Sequence, residues 1–274
     1  MLALRVATAL VLIPIVLLAL FKFPTYWFAI LFGIVCLLGA YEWSTIRGSH
    51  HVILSVVLLA AGSLAYWMPT LLPWFAFAGT IWWVWCAYSL SNPDSVSGHS
   101  GLKIVHGLLT LLPAWCALVY LHSHGTEGRA TIFCILLIVW GADTFAYFAG
   151  KQWGKRKLAP TISPGKSVEG AIGGIIGVLI VAVVSGMAYW QFGAWELSVW
   201  LVLCVITAVI SIVGDLCESK LKRAAGVKDS GNLLPGHGGM LDRIDSMLAA
   251  APVFTTGLIL SGLLSFNLTT GSAG

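Results

Sequence analysis

Apolar residues fill this chain in long runs, interrupted by short polar stretches rather than alternating with them. A helix needs about 20 mostly apolar residues to cross hydrocarbon. Nine runs are of that order: 4–21, 25–43, 52–68, 70–90, 102–121, 130–149, 168–190, 197–219 and 246–266. The pattern predicts an all-α integral membrane protein of about nine transmembrane helices, one polytopic domain over residues 1–274. Pro69 and Pro73 leave only a tight hairpin between the third and fourth runs. The first run follows Arg5 as a signal peptide would, but its Lys22-Phe23-Pro24 exit lacks a small-residue cleavage site, so it reads as a retained helix. The longest interruption, 220–245, is too short for a soluble module.

Composition sharpens this picture. Hydrophobic residues make up 58% of the 274 and charged ones 9%, and the mean hydropathy of +0.91 excludes an ordinary soluble domain. Lys and Arg then give a direction. With the N-terminus in the cytoplasm, thirteen of the fifteen basic residues fall inside, leaving Lys22 and Arg129 outside. So steep a bias predicts a cytoplasmic N-terminus, a periplasmic C-terminus and both large polar loops on the inner face. Trp27, Trp43, Trp67, Trp74, Trp115 and Trp153 lie near run ends and read as interfacial anchors. Trp82, Trp83 and Trp85 sit deeper, facing lipid or packing between helices. The six cysteines are scattered singly and read as buried apolar residues. His122 and His124 read as part of a solvated outer loop with Glu127, and His106 has no evident role. Gly170, Gly174, Gly173 and Gly177 give the seventh run a small-residue face suited to close helix packing.

Candidate chemistry lies where charge interrupts hydrocarbon, since charge there is costly. Asp143 is near the inner end of the sixth run and Asp215 near that of the eighth. If the eighth helix continues inward, Asp215, Glu218, Ser219 and Lys222 share one face, three or four residues apart. Asp242 and Asp245 start the ninth. Three helices thus deliver acids to one depth, and hard oxygen donors in that setting suit Mg²⁺. Gly165-Lys166-Ser167 invites comparison with a P-loop, but Pro160 stands where its glycine is needed and no strand is expected before it. What survives is a lysine and a serine just before a helix N-terminus, a place that favours phosphate.

The most polar stretch runs from Ser219 to Asp245 and holds Lys222-Arg223, Lys228-Asp229, Pro235, His237-Gly238-Gly239, Asp242-Arg243 and Asp245. It resembles the signature segment of the phosphatidate cytidylyltransferase (CDP-diacylglycerol synthase) family. Asp143 and the Ser163–Gly170 stretch resemble that family more loosely, and the first hundred residues only in hydropathy. The resemblance implies an Mg²⁺-dependent bacterial inner-membrane enzyme, with a monovalent cation such as K⁺ alongside. Its substrates would be CTP and phosphatidate, and its state a homodimer among membrane lipids; no nucleic acid partner is expected. Catalysis would lie in 130–266, with 1–121 mainly scaffold and the active site facing the cytoplasm.

On this expectation Asp215, Asp242 and Asp245 are metal ligands, catalytic together with Lys222 and Arg223. Lys228, Arg243, Lys166 and Ser167 would bind phosphate. Asp143, Ser163, Ser219, Asp229, His237, Gly238 and Gly239 complete the substrate-binding set. Two rival readings are a cation or proton carrier, and another phosphotransferase acting on a lipid alcohol. Acids confined to one face argue against the carrier.

Overall fold

The structure is a computed structural model that describes residues 2–90, 100–233 and 238–263. Among them are nine α-helices: α1 (Leu2–Lys22), α2 (Thr25–Arg47), α3 (His51–Trp67), α4 (Leu72–Ser89), α5 (Ser100–Ser123), α6 (Gly125–Trp153), α7 (Val168–Val184), α8 (Ala194–Ala224) and α9 (Leu241–Ser261). Seven of these are long and apolar enough to cross a membrane, whereas α3 and the Leu10–Lys22 part of α1 are shorter apolar segments. The prolines act as expected between α3 and α4, where only the 3₁₀ turn Pro69–Leu71 intervenes. Continuous apolar sequence does not reveal the end of the seventh helix, which widens into a π-type turn over Ser185–Tyr189.

The bundle is organised around α5 and α9. Each has 72% of its most apolar window buried, more than any other candidate span. Outward-facing Ile34, Val56, Ile81, Val84, Ile176, Val202 and Ile206 are exposed, as they should be where hydrocarbon is the solvent. Polar joints hold the helices in register. The indole N–H of Trp115 donates to Ala29 O at 2.9 Å, that of Trp83 to Leu248 O at 2.9 Å, and that of Trp43 to Lys103 O at 3.0 Å. Such interhelical bonds are worth roughly 0.6–1.7 kcal/mol each in a membrane. Trp43 and Trp115 are therefore internal struts and not interfacial anchors; Trp27, Trp67, Trp74 and Trp153 remain exposed at run ends. His122 departs further from the solvated loop expected of it. It is fully buried, hydrogen-bonded to Thr25 Oγ1 (3.0 Å) and Leu20 O (3.1 Å), and stacked on Phe28. The six cysteines are free, five of them buried.

Sequence periodicity gave no strand, yet the loop after α6 folds into an antiparallel hairpin, β1 (Lys157–Ala159) with β2 (Ser163–Ser167). Its base is tied down by Glu169 on α7, whose carboxylate accepts from Lys155 N (3.0 Å), Arg156 N (3.1 Å) and Arg156 Nε (3.0 Å). An all-α description thus holds for the bundle but not for this loop. The small-residue face of α7 does pack closely on α6. A Cβ at Gly174 would lie 2.8 Å from Ala142 O, and one at Gly173 would lie 2.3 Å from Ala149 Cβ. This contact sets the distance between Asp143 on α6 and the lysine that precedes α7. A Gly174→Leu substitution should lower stability by about 1–3 kcal/mol, the usual cost of forcing volume into a packed seam. Thermal unfolding of purified protein in detergent measures it.

Candidate functional site

Charge collects at the end of the bundle where α8 finishes and α9 begins. The α8 helix continues past its apolar run to Ala224, so Asp215, Glu218, Ser219 and Lys222 occupy successive turns of one face. Lys222 is the central group. Its ammonium contacts Glu218 Oε2 at 3.1 Å one turn back and Asp242 Oδ1 on α9, and the Lys222 and Asp242 side chains are 9% and 7% exposed. The other oxygen of Asp242 accepts from Ser230 N at 2.8 Å, Ser230 Oγ at 2.9 Å and Gly239 N at 2.8 Å. Gly238, with φ of +80°, supplies the left-handed turn that brings the Gly239 N–H onto this carboxylate.

A second pair lies one face away. Lys166, on β2, places Nζ 2.5 Å from Asp215 Oδ2, both side chains being about a quarter exposed. Ser219 Oγ donates to the other Asp215 oxygen at 3.2 Å. Asp143 lies within electrostatic reach of Lys166, Asp215 and Arg243. The hairpin therefore carries Lys166 across from α7 to α8, which no helical periodicity could show.

Between the two pairs sits Asp245, close to Asp215 and within hydrogen-bonding reach of Glu218. The second Glu218 oxygen, Oε1, is buried with no hydrogen-bond partner. Two carboxyl groups facing each other, one with an orphaned oxygen, call for a cation or a proton between them. The donor set is all oxygen, suited to a hard divalent ion. Among the described residues, however, no three Asp, Glu, His or Cys side chains are gathered into a complete cage. Asp242, expected to ligate metal with Asp215 and Asp245, has its oxygens taken by Lys222, Ser230 and Gly239. The acid beside Asp245 is Glu218 instead.

The remaining expected residues divide. Ser167 is buried, and its Oγ accepts from Gly170 N at 3.1 Å as the N-cap of α7, so that hydroxyl serves the helix. Arg223 points away from the acids; it is exposed and donates to Val227 O (3.1 Å) and Ile162 O (3.4 Å), tying the hairpin to the end of α8. Lys228, Asp229 and Arg243 are exposed at this end, and Ser163 begins β2 on the hairpin. His237 lies outside the described residues.

Three contributors, Glu42, Ser230 and Glu218, are absent from the expected set. Glu42, buried near the C-terminal end of α2, accepts from Met240 N and Leu241 N, each at 2.8 Å, and from Ser230 Oγ at 2.7 Å. Ser230 thus bridges Glu42 and Asp242. A lone acid inside an apolar run is a signal that the sequence did carry. It lies in the part of the chain, 1–121, expected to be mainly scaffold. Beside this network, a cavity of about 80 Å³ reaches Glu218 and Asp245 from a wall of Trp43, Trp82, Trp83 and Trp85.

Comparison with known proteins gives a consistent result. Residues 3–260 match the sequence model of the cytidylyltransferase family. A phosphatidate cytidylyltransferase of Pseudomonas aeruginosa is 42% identical over 269 residues, covering 96% of this chain and 98% of that protein. One from Haemophilus influenzae is 37% identical over 285 residues, covering 93% and 98%. One from Staphylococcus haemolyticus is 46% identical over 144 residues, about half of each chain (52% and 54%).

Removing Lys222 should leave Glu218 and Asp242 as buried acids without a shared counter-ion. Lys222→Met is expected to cost about 3–5 kcal/mol of stability. The double variant with Asp242→Asn should cost less than the sum of the single changes, because the two side chains share one interaction. Thermal unfolding of the four proteins in one detergent checks both points.

Proposed function

The chain belongs to the cytidylyltransferase family, and we propose that it transfers CMP from CTP to phosphatidate, giving CDP-diacylglycerol and pyrophosphate. The observation that carries the reading is the arrangement at one end of the bundle: the Lys166–Asp215 and Lys222–Asp242 pairs flank the Glu218–Asp245 contact. Two anionic reactants must meet there. Phosphatidate brings a phosphomonoester that is largely ionised at neutral pH, its second pKa being about 6. It therefore needs no general base. One of its oxygens attacks the α-phosphorus of CTP, a P–O bond forms, the bond to the β-phosphate oxygen breaks, and pyrophosphate leaves with that electron pair.

The work left to the protein is to hold the reactants in line and offset their charge. Lys166 is partly exposed on the hairpin and held against Asp215, so it is placed to receive a phosphate at the mouth of the site. Lys228 and Arg243 add exposed positive charge at the same end. Lys222, buried between two acids, fixes the orientation of α8 against α9. Glu218 and Asp245 are the groups that would hold a divalent cation such as Mg²⁺. Two carboxylates suffice, because this ion commonly keeps its other positions for water and substrate phosphates. Bound there, it would neutralise charge developing on the phosphates.

The protein is a multi-pass membrane protein. We place all nine helices across a bacterial plasma membrane, with the N-terminus and the site on the cytoplasmic side; the bias of Lys and Arg supports this. The acyl chains then stay in the bilayer while the headgroup reaches the acids. The acids gather at one end rather than along a traverse, which disfavours a transport pathway.

Purified protein given phosphatidate, Mg²⁺ and CTP labelled at the α-phosphate should place label in lipid and release pyrophosphate. Chelation with EDTA should stop both. Label entering lipid from the γ-phosphate would overturn the reading in favour of a kinase. Within the same assay, Asp245→Asn should lower kcat by about 100-fold, the scale of removing one well-placed charged group from a site.

A further inference from the structure

The buried carboxylate of Glu42 is tied to the site by more hydrogen bonds than packing alone requires. It projects from α2, in the half of the chain that carries none of the signature residues. Its two oxygens accept the backbone N–H groups of Met240 and Leu241, where α9 begins, and the hydroxyl of Ser230. A helix start leaves free N–H groups and a partial positive charge, and a carboxylate answers both. Here the cap comes from another helix, 198 residues away in sequence. The surroundings are shaped to admit it. A Cβ at Gly239 would fall 2.4 Å from Glu42 Oε2, and one at Gly231 would fall 2.8 Å from Oε1.

The contact runs onward to the reacting end. The Ser230 hydroxyl has one proton and stands 2.7 Å from Glu42 and 2.9 Å from Asp242. Asp242 in turn holds Lys222, and Lys222 holds Glu218. Both the height of α9 and its rotation are thereby referred to α2, and Asp245, one turn into α9, moves with them. We infer that Glu42 is a positioning residue for catalysis, setting the N-terminus of α9 so that Asp245 meets Glu218 and Lys222 stays between its two acids. The inference rests on the proposed cytidylyl transfer for its kinetic readout and on the geometry alone for its structural one.

Glu42→Gln keeps the size of the side chain but replaces one acceptor oxygen with a donor. It should fold with a melting temperature near that of the parent. Its kcat should fall about tenfold or more, while KM for CTP and KM for phosphatidate stay within about twofold, the pattern of a lost transition-state interaction. Gly231→Ala presses on the same carboxylate and alters no charge, and it should lower kcat in the same direction. Glu42→Asp, which keeps the charge, should retain more kcat than Glu42→Gln. Amide hydrogen exchange at Met240 and Leu241 should quicken by about tenfold in Glu42→Gln, whether or not turnover is measured. Unchanged exchange at these amides overturns the inference on its own, and so does full kcat in folded Glu42→Gln. Activity lost only in proportion to unfolded protein would reduce Glu42 to a folding cap. Should the parent make no CDP-diacylglycerol, the proposed reaction fails while exchange still reads the positioning.

Discussion

A charge buried at the lip of an apolar bundle must carry its counter-ion with it, and Lys222 carries two. Its ammonium sits between Glu218 on its own helix and Asp242 on the next, so α8 and α9 cannot slide or rotate past each other without exposing a bare ion. This constraint fixes everything around it. Asp242 is oriented by Lys222 on one oxygen and by Ser230 and Gly239 on the other. Asp245, a turn further along, is then delivered to Glu218. The same pair explains why α8 remains helical beyond its apolar run: Glu218 and Lys222 must stay four residues apart on one face.

The second half of the site is assembled differently. Lys166 reaches Asp215 from a β-hairpin whose base is clamped by Glu169 and whose tip is tied to Arg223 through Ile162. One lysine is thus set by rigid helices and the other by a loop with two fixed ends. The first suits a structural counter-ion and the second a group that must meet an incoming phosphate. The N-terminal half also reaches this end, where Glu42 enters the same network from α2. Among the described ion pairs, Lys166 is joined to Asp215, and Lys222 to Glu218 and Asp242.

The sequence expectations divide along physical lines. Asp215, Lys222, Asp242 and Asp245 were legible because acids and bases inside hydrocarbon stand out against a very apolar background. Their individual roles were less so. Asp242 looked like a metal ligand, yet its oxygens are consumed by a lysine, a serine and a glycine amide. Arg223 stands beside Lys222 in sequence, and the step of about 100° per residue in a helix turns it off the face that Lys222 presents. Ser167, expected to bind phosphate, has its hydroxyl engaged as the N-cap of α7.

Hydropathy alone determined that the chain is a helical bundle built for a membrane, and the spacing of charged residues determined which end gathers the buried charge. Both are properties of consecutive residues, written in the period of the helix and the length of each run. Contacts between distant residues were decided only by the tertiary structure: Glu42 with Met240, Lys166 with Asp215, Trp115 with Ala29. Which helix meets which is a matter of packing and of satisfying buried polar groups over the whole bundle. No local pattern encodes it, because every apolar helix presents much the same face until its neighbours are in place.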